Sequence, residues 1–351
     1  MSYERLPESV ATLYAELLDQ AVQAEAEAVA QRLPPPGSFV SKRVKGNTYW
    51  YLQRTVAGRK EQRYLGPESP ALLGWMEGVR ESREERGSDE RRRSELVEML
   101  AAGGALREKA PAGRVLQALA EAGVFRLGAV LVGTRAFLSY GNMLGVRFQE
   151  RSLRTEDVDI AQDPRVAVAL ASGQASADVP SVLEDADRSF FGVPGLDPRQ
   201  PSTSFKVRGR DLRVDFLTPR RGAADDEPIP LPRLGVAAQP LPFLDYLLEE
   251  TEQAVILYGS GVLATVPNPA RFTLHKLWVA SQRPAAQQAR ARKDRLQASA
   301  LVELLLDDRP RDLRRAWEAV PAKRRPYVRA AIDRLEPALR REVHEVVERL
   351  W

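Results

Sequence analysis

The chain has 351 residues, 52 basic against 48 acidic, a formal charge of +4 and 44% hydrophobic residues. That length and apolar content fit two or three folded domains and exclude wholesale disorder. Cysteine is absent and only His275 and His344 are present, which excludes disulfides, thiolate nucleophiles, zinc ribbons and histidine-rich metal sites. Any metal must then be held by oxygen, which points to magnesium or manganese.

The charge is unevenly distributed. Between Ser38 and Gly66 lie Lys42, Arg43, Lys45, Arg54, Arg59, Lys60 and Arg63 against the single acid Glu61, so this segment carries +6 and the remainder −2. A basic module on a slightly acidic body points to a polyanionic partner. The opening MSYERLPESV has no apolar signal core, and no uncharged run approaches the length of a membrane span, so the expected setting is the cytoplasm, away from membranes.

In chain order, residues 5–32 are rich in alanine, leucine and glutamate and predict a helix stopped by Pro34, Pro35 and Pro36. SFVSKRVKGNTYWYLQRTVAGRKEQRYLG predicts short β-strands broken at Lys45-Gly46-Asn47 and at Ala57-Gly58, a basic β-hairpin module over 38–66. Residues 68–101 read as helix through the charge run Arg80–Arg93, a solvated or mobile stretch. Gly103, Gly104, Pro111 and Gly113 mark a linker.

From residue 114 helix and strand alternate. VLQALAEAGV predicts a helix, FRLGAVLVG a buried strand ending in glycine, and TRAFLSYGNML a helix opening directly after it. TEDVDIA is a short strand with acids on alternate positions. STSFKVRGRDLRVDFLT predicts a hairpin about Gly209, a proline-rich loop spans 218–235, and strands at 253–266 flank Gly259 and Gly261. Beyond Pro269 the chain reads as a C-terminal helical bundle. The expected domains are 1–110, helical with the basic module; 111–268, the catalytic core; and 269–351, the bundle.

Three pieces of the middle region bear on chemistry. Gly133-Thr134 sits at a strand-to-helix turn, where glycine admits a phosphate and the helix start offers free amides; a plain turn is the alternative. Asp157 and Asp159, two apart on a strand, project to one side roughly 7 Å apart, and two such carboxylates repel unless a cation lies between them. An acidic turn or capping pair is the other reading. Asp215 lies among Val214, Phe216 and Leu217 and needs compensation by a metal, hydrogen bonds or a cation, with Arg213 as the nearest ionic partner. Taken together they form the parts of a two-metal phosphoryl-transfer site.

At these residues the chain resembles the DNA polymerase β-like nucleotidyltransferase superfamily, whose pattern is a Gly-Gly or Gly-Ser turn, an Asp-x-Asp/Glu pair and a later acid on a strand. The likeness is closest to a bacterial nucleotidyltransferase-fold branch, through VGTRAFLSYGNMLGVRF, RTEDVDIA and HKLWVASQR. It extends to the nucleotidyltransferase toxins of abortive-infection systems and covers roughly residues 114–305. Two departures stand out: the turn is Gly-Thr, and 24 residues separate Gly133 from Asp157.

The resemblance implies an α+β fold, a polymerase β-like core with a mixed sheet, flanked by the N-terminal helix and hairpin module and the C-terminal bundle. It implies Gly133 and Thr134 as phosphate-holding residues and Asp157, Asp159 and Asp215 as catalytic metal ligands for Mg2+ or Mn2+. Lys276 would match a triphosphate-contacting lysine, and Asp294 the acid that follows it; Asp211 is the alternative to Asp215. The implied reaction moves an NMP from an NTP to a hydroxyl acceptor with release of pyrophosphate. RNA, tRNA in particular, is the first acceptor considered; a protein hydroxyl and a small molecule are the others. The toxin-like likeness implies a toxin or defence enzyme with a protein antitoxin as partner. A catalytically idle nucleic-acid-binding protein is the reading from another class.

In the basic module Tyr49, Trp50, Tyr51 and Tyr64 interleave with the cations, so bases can stack while cations neutralise phosphates. The alternative is a small sheet packed on the N-terminal helix. His275 reads as a buried helix histidine, and His344 lacks the second histidine of a zinc-protease helix.

Overall fold

The computed structural model describes residues 2–31, 37–56, 59–149, 156–165, 176–195, 200–222 and 227–348. Pro34–Pro36, the Ala57-Gly58 break and Arg154 lie outside the described residues. The N-terminal part comprises β1 (Tyr3–Arg5), α1 (Glu8–Gln31), β2 (Ser38–Val44), β3 (Asn47–Val56), β4 (Arg59–Pro67) and α2 (Pro70–Ala102). Strands β2, β3 and β4 form an antiparallel sheet of their own, one strand more than a hairpin. The β2–β3 turn is tight because Lys45 and Gly46 both take positive φ, 50° and 85°.

Helix α2 runs unbroken through the Arg80–Arg93 charge run, so that stretch is ordered helix. It starts where Ser69 caps it, its side chain accepting from the Leu72 amide at 3.2 Å, with Pro70 in the first turn. Its two ends do different things. Near the start, Trp75 packs edge-on against Phe39 of β2 at 5.7 Å, and Arg83 donates to the Gly37 carbonyl at 2.6 Å. Near the end, Leu96, Val97 and Leu100 form a buried cluster with Val10, Tyr14 and Leu17 of α1 and Val255 and Leu257 further on. From Arg83 to Leu96 the helix rises about 20 Å, so the basic sheet stands apart from the body cluster.

The body continues with α3 (Ala110–Glu121), β5 (Ala129–Val132), α4 (Gly133–Met143), β6 (Val146–Phe148), β7 (Asp157–Gln162), α5 (Val179–Ala186), β8 (Phe190–Gly192), β9 (Ser204–Val207) and β10 (Arg213–Pro219). Then follow β11 (Ile229–Leu231), β12 (Val236–Leu241), α6 (Leu244–Leu248), β13 (Thr251–Ile256) and β14 (Val262–Pro267). The expected linker ends earlier than its glycines implied. Pro111 and Gly113 lie inside α3, where Gly113 has no room for a Cβ, which would come 2.7 Å from the Tyr258 ring edge. Ile229–Leu231, within the segment read as a proline-rich loop, is a strand that pairs with β12.

The central sheet is mixed, as expected for this fold class. Its order is β11-β12-β10-β7-β5, with β9 and β8 attached at the start of β10. Strand β7 is antiparallel to β5 and parallel to β10, and β12 is parallel to β10. Val158, Ile160, Val214 and Phe216 are fully buried on one face, leaving Asp157, Asp159 and Asp215 on the other. That alternation fixes the register, because a slip by one residue would bury the acids.

The C-terminal helices are α7 (Pro269–Gln282), α8 (Gln288–Asp308), α9 (Pro310–Glu318), α10 (Arg325–Ile332) and α11 (Pro337–Glu348). Asn268 caps α7 by accepting from the Ala270 and Arg271 amides at 3.0 and 3.2 Å. A single apolar cluster runs from Ala112 to Val347, so these helices share a core with the sheet. No helix among the described residues is long and apolar enough to cross a membrane.

Candidate active site

The site forms where the end of β5 meets the starts of β7 and β10. Val132, the last residue of β5, pairs with Asp159, and Asp159 pairs in turn with Asp215. The chain turns into α4 at Gly133, whose φ of +67° is costly for any residue with a Cβ. A Cβ there would also lie 2.9 Å from Asp159 Cγ, so the carboxyl is seated directly against the turn. Glycine is therefore required twice over, by backbone conformation and by space. Thr134 is buried in the first turn of α4, and Gln297 of α8 donates to its hydroxyl at 3.4 Å.

Parallel pairing brings the acids together. Arg213 stands opposite Asp157 and Asp215 opposite Asp159, so the three aspartates share one face across two neighbouring strands. Asp211 is exposed in the turn before β10, outside this row. Burial pushes the Asp159 carboxyl up to about 6, and the charges of Asp215 and Asp157 add to this against the opposing pull of Lys276 and Lys293. Asp215 is held by Arg213, whose Nε donates to it at 2.7 Å and to Ser204 Oγ at 2.8 Å. The ionic partner anticipated for Asp215 is thus present. Among the described residues no three acidic or histidine side chains are gathered as a ready metal cluster.

The C-terminal helices bring cations to the same place. Lys276 of α7 is buried and paired with Asp294 of α8 at 2.7 Å, and Arg283 reaches the other Asp294 oxygen at 2.6 Å. Burial alone would oppose ionisation of Asp294, but these two cations outweigh it and hold the carboxyl below its ordinary range. Lys276 and Asp294 are thus a buried pair joining α7 to α8, with Lys276 also acting on Asp159. Lys293 belongs to the same field: burial and Lys276 lower its pKa while Asp294, Asp157 and Asp159 oppose that shift. In the sequence Lys293 is one of several charges on a helix, and nothing local distinguishes it.

Arg135 is a residue that no local sequence pattern singles out. It is buried in the first turn of α4, forms an ion pair with buried Glu108 and donates from Nε to the Asp157 carbonyl at 3.3 Å. Asn142, two turns further along α4, exchanges hydrogen bonds with the Leu106 backbone at 2.8 and 2.9 Å. The segment after α2 is thus fastened along α4, and one fastening also holds the start of β7.

His275 faces away from this chemistry. It is buried between Phe243 and Trp278, with ring centroids at 5.7 and 6.2 Å, and burial drives its pKa down to about 3. The unfolded chain takes up a proton below about 6.5 that the folded chain refuses. Stability is therefore full above that pH and falls by about 1.4 kcal/mol per pH unit as acid is added. His275→Phe is expected to remove this loss, leaving the variant about 2 kcal/mol less acid-sensitive than the wild type between pH 6.5 and 4.5. Urea unfolding at the two pH values measures it, and parallel losses in both proteins would rule out a neutral buried imidazole.

A glycine-hinged strand-to-helix turn thus faces acids on two parallel neighbouring strands of a mixed sheet. A family model described as nucleotidyltransferase matches residues 110–321, well over half of the chain, and the protein belongs to that family. A second model, a domain of unknown function (DUF6788), matches residues 3–73, which take in β1, α1 and the basic sheet. No curated protein and no solved structure matches the chain. Nucleotidyl transfer is accordingly its general activity.

Proposed function

We propose that the protein moves a nucleoside monophosphate from an NTP to a hydroxyl group of an RNA acceptor and releases pyrophosphate, in a reaction that depends on divalent metal. The observation that carries this is the register placing Asp159 beside Asp215, with Asp157 on the same face and the Gly133 turn against Asp159. The residues fit a hard divalent cation. They supply only carboxylate oxygens, and burial, with Asp215 and Asp157 adding to it, raises the Asp159 carboxyl, a cost of ionisation that a bound cation would relieve. Asp215 joins such a set by releasing Arg213, which is half-exposed and has Ser204 as a second partner.

When bound, the metal ions supply Lewis-acid stabilisation of the transferring phosphoryl group and of its attacking and leaving oxygens. The chain's own residues do the rest. Free amides at the start of α4 receive phosphate oxygens, and Thr134 adds a hydroxyl beside them. Lys276 and Lys293 set a positive field over the acids, which favours binding of a polyanionic triphosphate and stabilises the charge that develops on pyrophosphate. Arg135 fixes the Asp157 backbone relative to α4 and acts as a positioning residue. In this reading residues 111–268 carry the acids, 269–351 bring the cations, and 1–110 hold the acceptor through the basic sheet.

The test is transfer of label from each α-labelled NTP to purified RNA in the presence of magnesium. Wild type is expected to label RNA, and Asp157→Ala is expected to lower the rate at least about 1000-fold. No labelling by wild type with any of the four NTPs, together with unchanged metal and nucleotide binding in Asp157→Ala, would falsify the reading. Label appearing on protein instead of RNA would overturn the acceptor while leaving the transfer chemistry in place.

A further inference from the structure

The basic sheet has two unlike faces. One is closed by α2: Leu52 is buried, Phe39 lies edge-on to Trp75, and the guanidinium groups of Arg80 and Arg83 sit 5.9 and 5.5 Å from the Phe39 ring. The other carries Tyr49, Tyr51 and Tyr64. Tyr64 is 53% exposed, and its ring lies 6.3 Å from that of Tyr49 and 5.4 Å from that of Tyr51, at 44° and 57°. The rings touch obliquely, so they form a stepped row and not a closed stack.

The row is flanked by charge. Lys42 lies 4.8 Å over the Tyr51 ring, and its ammonium is fixed by Gln62 Oε1 at 2.5 Å. Gln62 in turn donates to Gln53 at 2.7 Å, so this cation is braced from two strands. Arg54 is neutralised by Glu61. By strand alternation Lys60, opposite Thr55, shares the tyrosine face, whereas Arg43 and Arg63, opposite Thr48 and Leu52, lie on the other. The segment keeps the whole of its +6, because Glu61 is already counted in that sum.

An aromatic row inside an excess of cations complements one chemistry in particular. A double helix hides the faces of its bases and is held through its phosphates and base edges, so it gives a row of rings nothing to stack on. An acidic protein surface likewise pairs with lysine and arginine and leaves exposed rings unused. An unpaired polynucleotide strand presents both base faces and a run of phosphates, which is what this face accommodates. We propose that the Tyr49–Tyr51–Tyr64 face of the basic sheet binds a single-stranded segment of polynucleotide, stacking successive bases on the rings while Lys42 and Lys60 follow the backbone. This rests on the transfer reading for its purpose, since it names the form in which the acceptor is held, but binding is measured apart from transfer.

The experiment uses the full chain, without NTP or magnesium, and labelled oligonucleotides of one sequence as single-stranded RNA, single-stranded DNA and perfect duplex. Wild type is expected to bind either single strand at least about 10-fold more tightly than duplex. Tyr51→Ala and Tyr64→Ala are each expected to weaken single-strand binding roughly 5- to 100-fold, with Tyr→Phe at the same positions retaining it. Lys42→Gln is expected to weaken binding and to flatten its salt dependence by about one unit of log–log slope. Circular dichroism of each variant shows whether the sheet is intact, and the Phe variants carry the test if an Ala variant is not folded. Equal affinity for duplex and single strands, or Ala variants that fold and bind as wild type does, overturns the proposal. The two readings part cleanly: Asp157→Ala is expected to lose transfer and keep strand binding, and the folded tyrosine variants the reverse with a small acceptor.

Discussion

Asp159→Asn is expected to give a more stable protein that transfers no nucleotide. Burial and the neighbouring Asp215 and Asp157 charges raise this carboxyl to about 6. A raised carboxyl pKa means that the folded chain holds a proton more tightly than the unfolded one. Its contribution to stability is then fully present below about 3.8 and is lost as the pH rises through about 6. At pH 7 the ionised group costs about 1–2 kcal/mol once its partial solvent access is discounted. Asparagine keeps the shape and removes the charge. A gain of a few degrees in melting temperature at pH 7, shrinking towards pH 4, is the expected result. Transfer falls at least about 1000-fold with it, because one carboxylate of the set is gone. Acid adds a second signature: in wild type the Asp159 gain partly offsets the His275 loss between pH 6 and 4, and in the variant only the loss remains. A variant no more stable than wild type at pH 7 would show that Asp159 is already compensated. Such a trade of stability for chemistry is common where like charges are held ready for a cation.

Gly133→Ala is expected to be the most damaging single methyl group in the core. It forces an alanine to φ of +67° and drives its Cβ into Asp159. Together these cost about 2–3 kcal/mol of stability. The turn can relieve the overlap only by moving the carboxyl or the start of α4, so transfer is expected to fall at least about 100-fold. The two causes separate in a double-mutant cycle. Asp159→Ala leaves the backbone strain but removes the overlap, so Gly133→Ala should cost measurably less in that background. Denaturant unfolding of the four proteins gives the coupling directly. Strict additivity would mean that the turn and the acid are not in contact.

How much of this was legible beforehand depends on sequence distance. The Gly-Thr turn and the Asp157/Asp159 pair are local patterns and stand out without any knowledge of the fold. Asp215 stands out by its apolar strand, and Arg213, two residues away, is its nearest ionic partner in the sequence. What no local pattern contains is the parallel register that sets Asp215 beside Asp159 across 56 residues of chain. Gly113 was read as a linker glycine because the ring that excludes its side chain is that of Tyr258, 145 residues on. Lys293 was indistinguishable from its neighbours on α8, since only the packing of α8 on α7 turns it toward the acids. Strand β11 was concealed by prolines: Pro230 sits at the outer edge of the sheet, where a missing amide is tolerated.

The long helix α2 sets a length scale for the whole protein. About three and a half turns separate Arg83, which still reaches the basic sheet, from Leu96 of the body cluster, and the intervening residues are largely charged. In that arrangement α2 is a ruler. On the strand binding proposed above, an acceptor held on the tyrosine row would have to span the separation that α2 sets between the basic sheet and the body. Seven residues added to its exposed middle would extend it by about 10 Å while turning the sheet by only about 20°. On that proposal, a longer α2 would raise the minimum length of a competent acceptor without touching any residue assigned to the transfer itself.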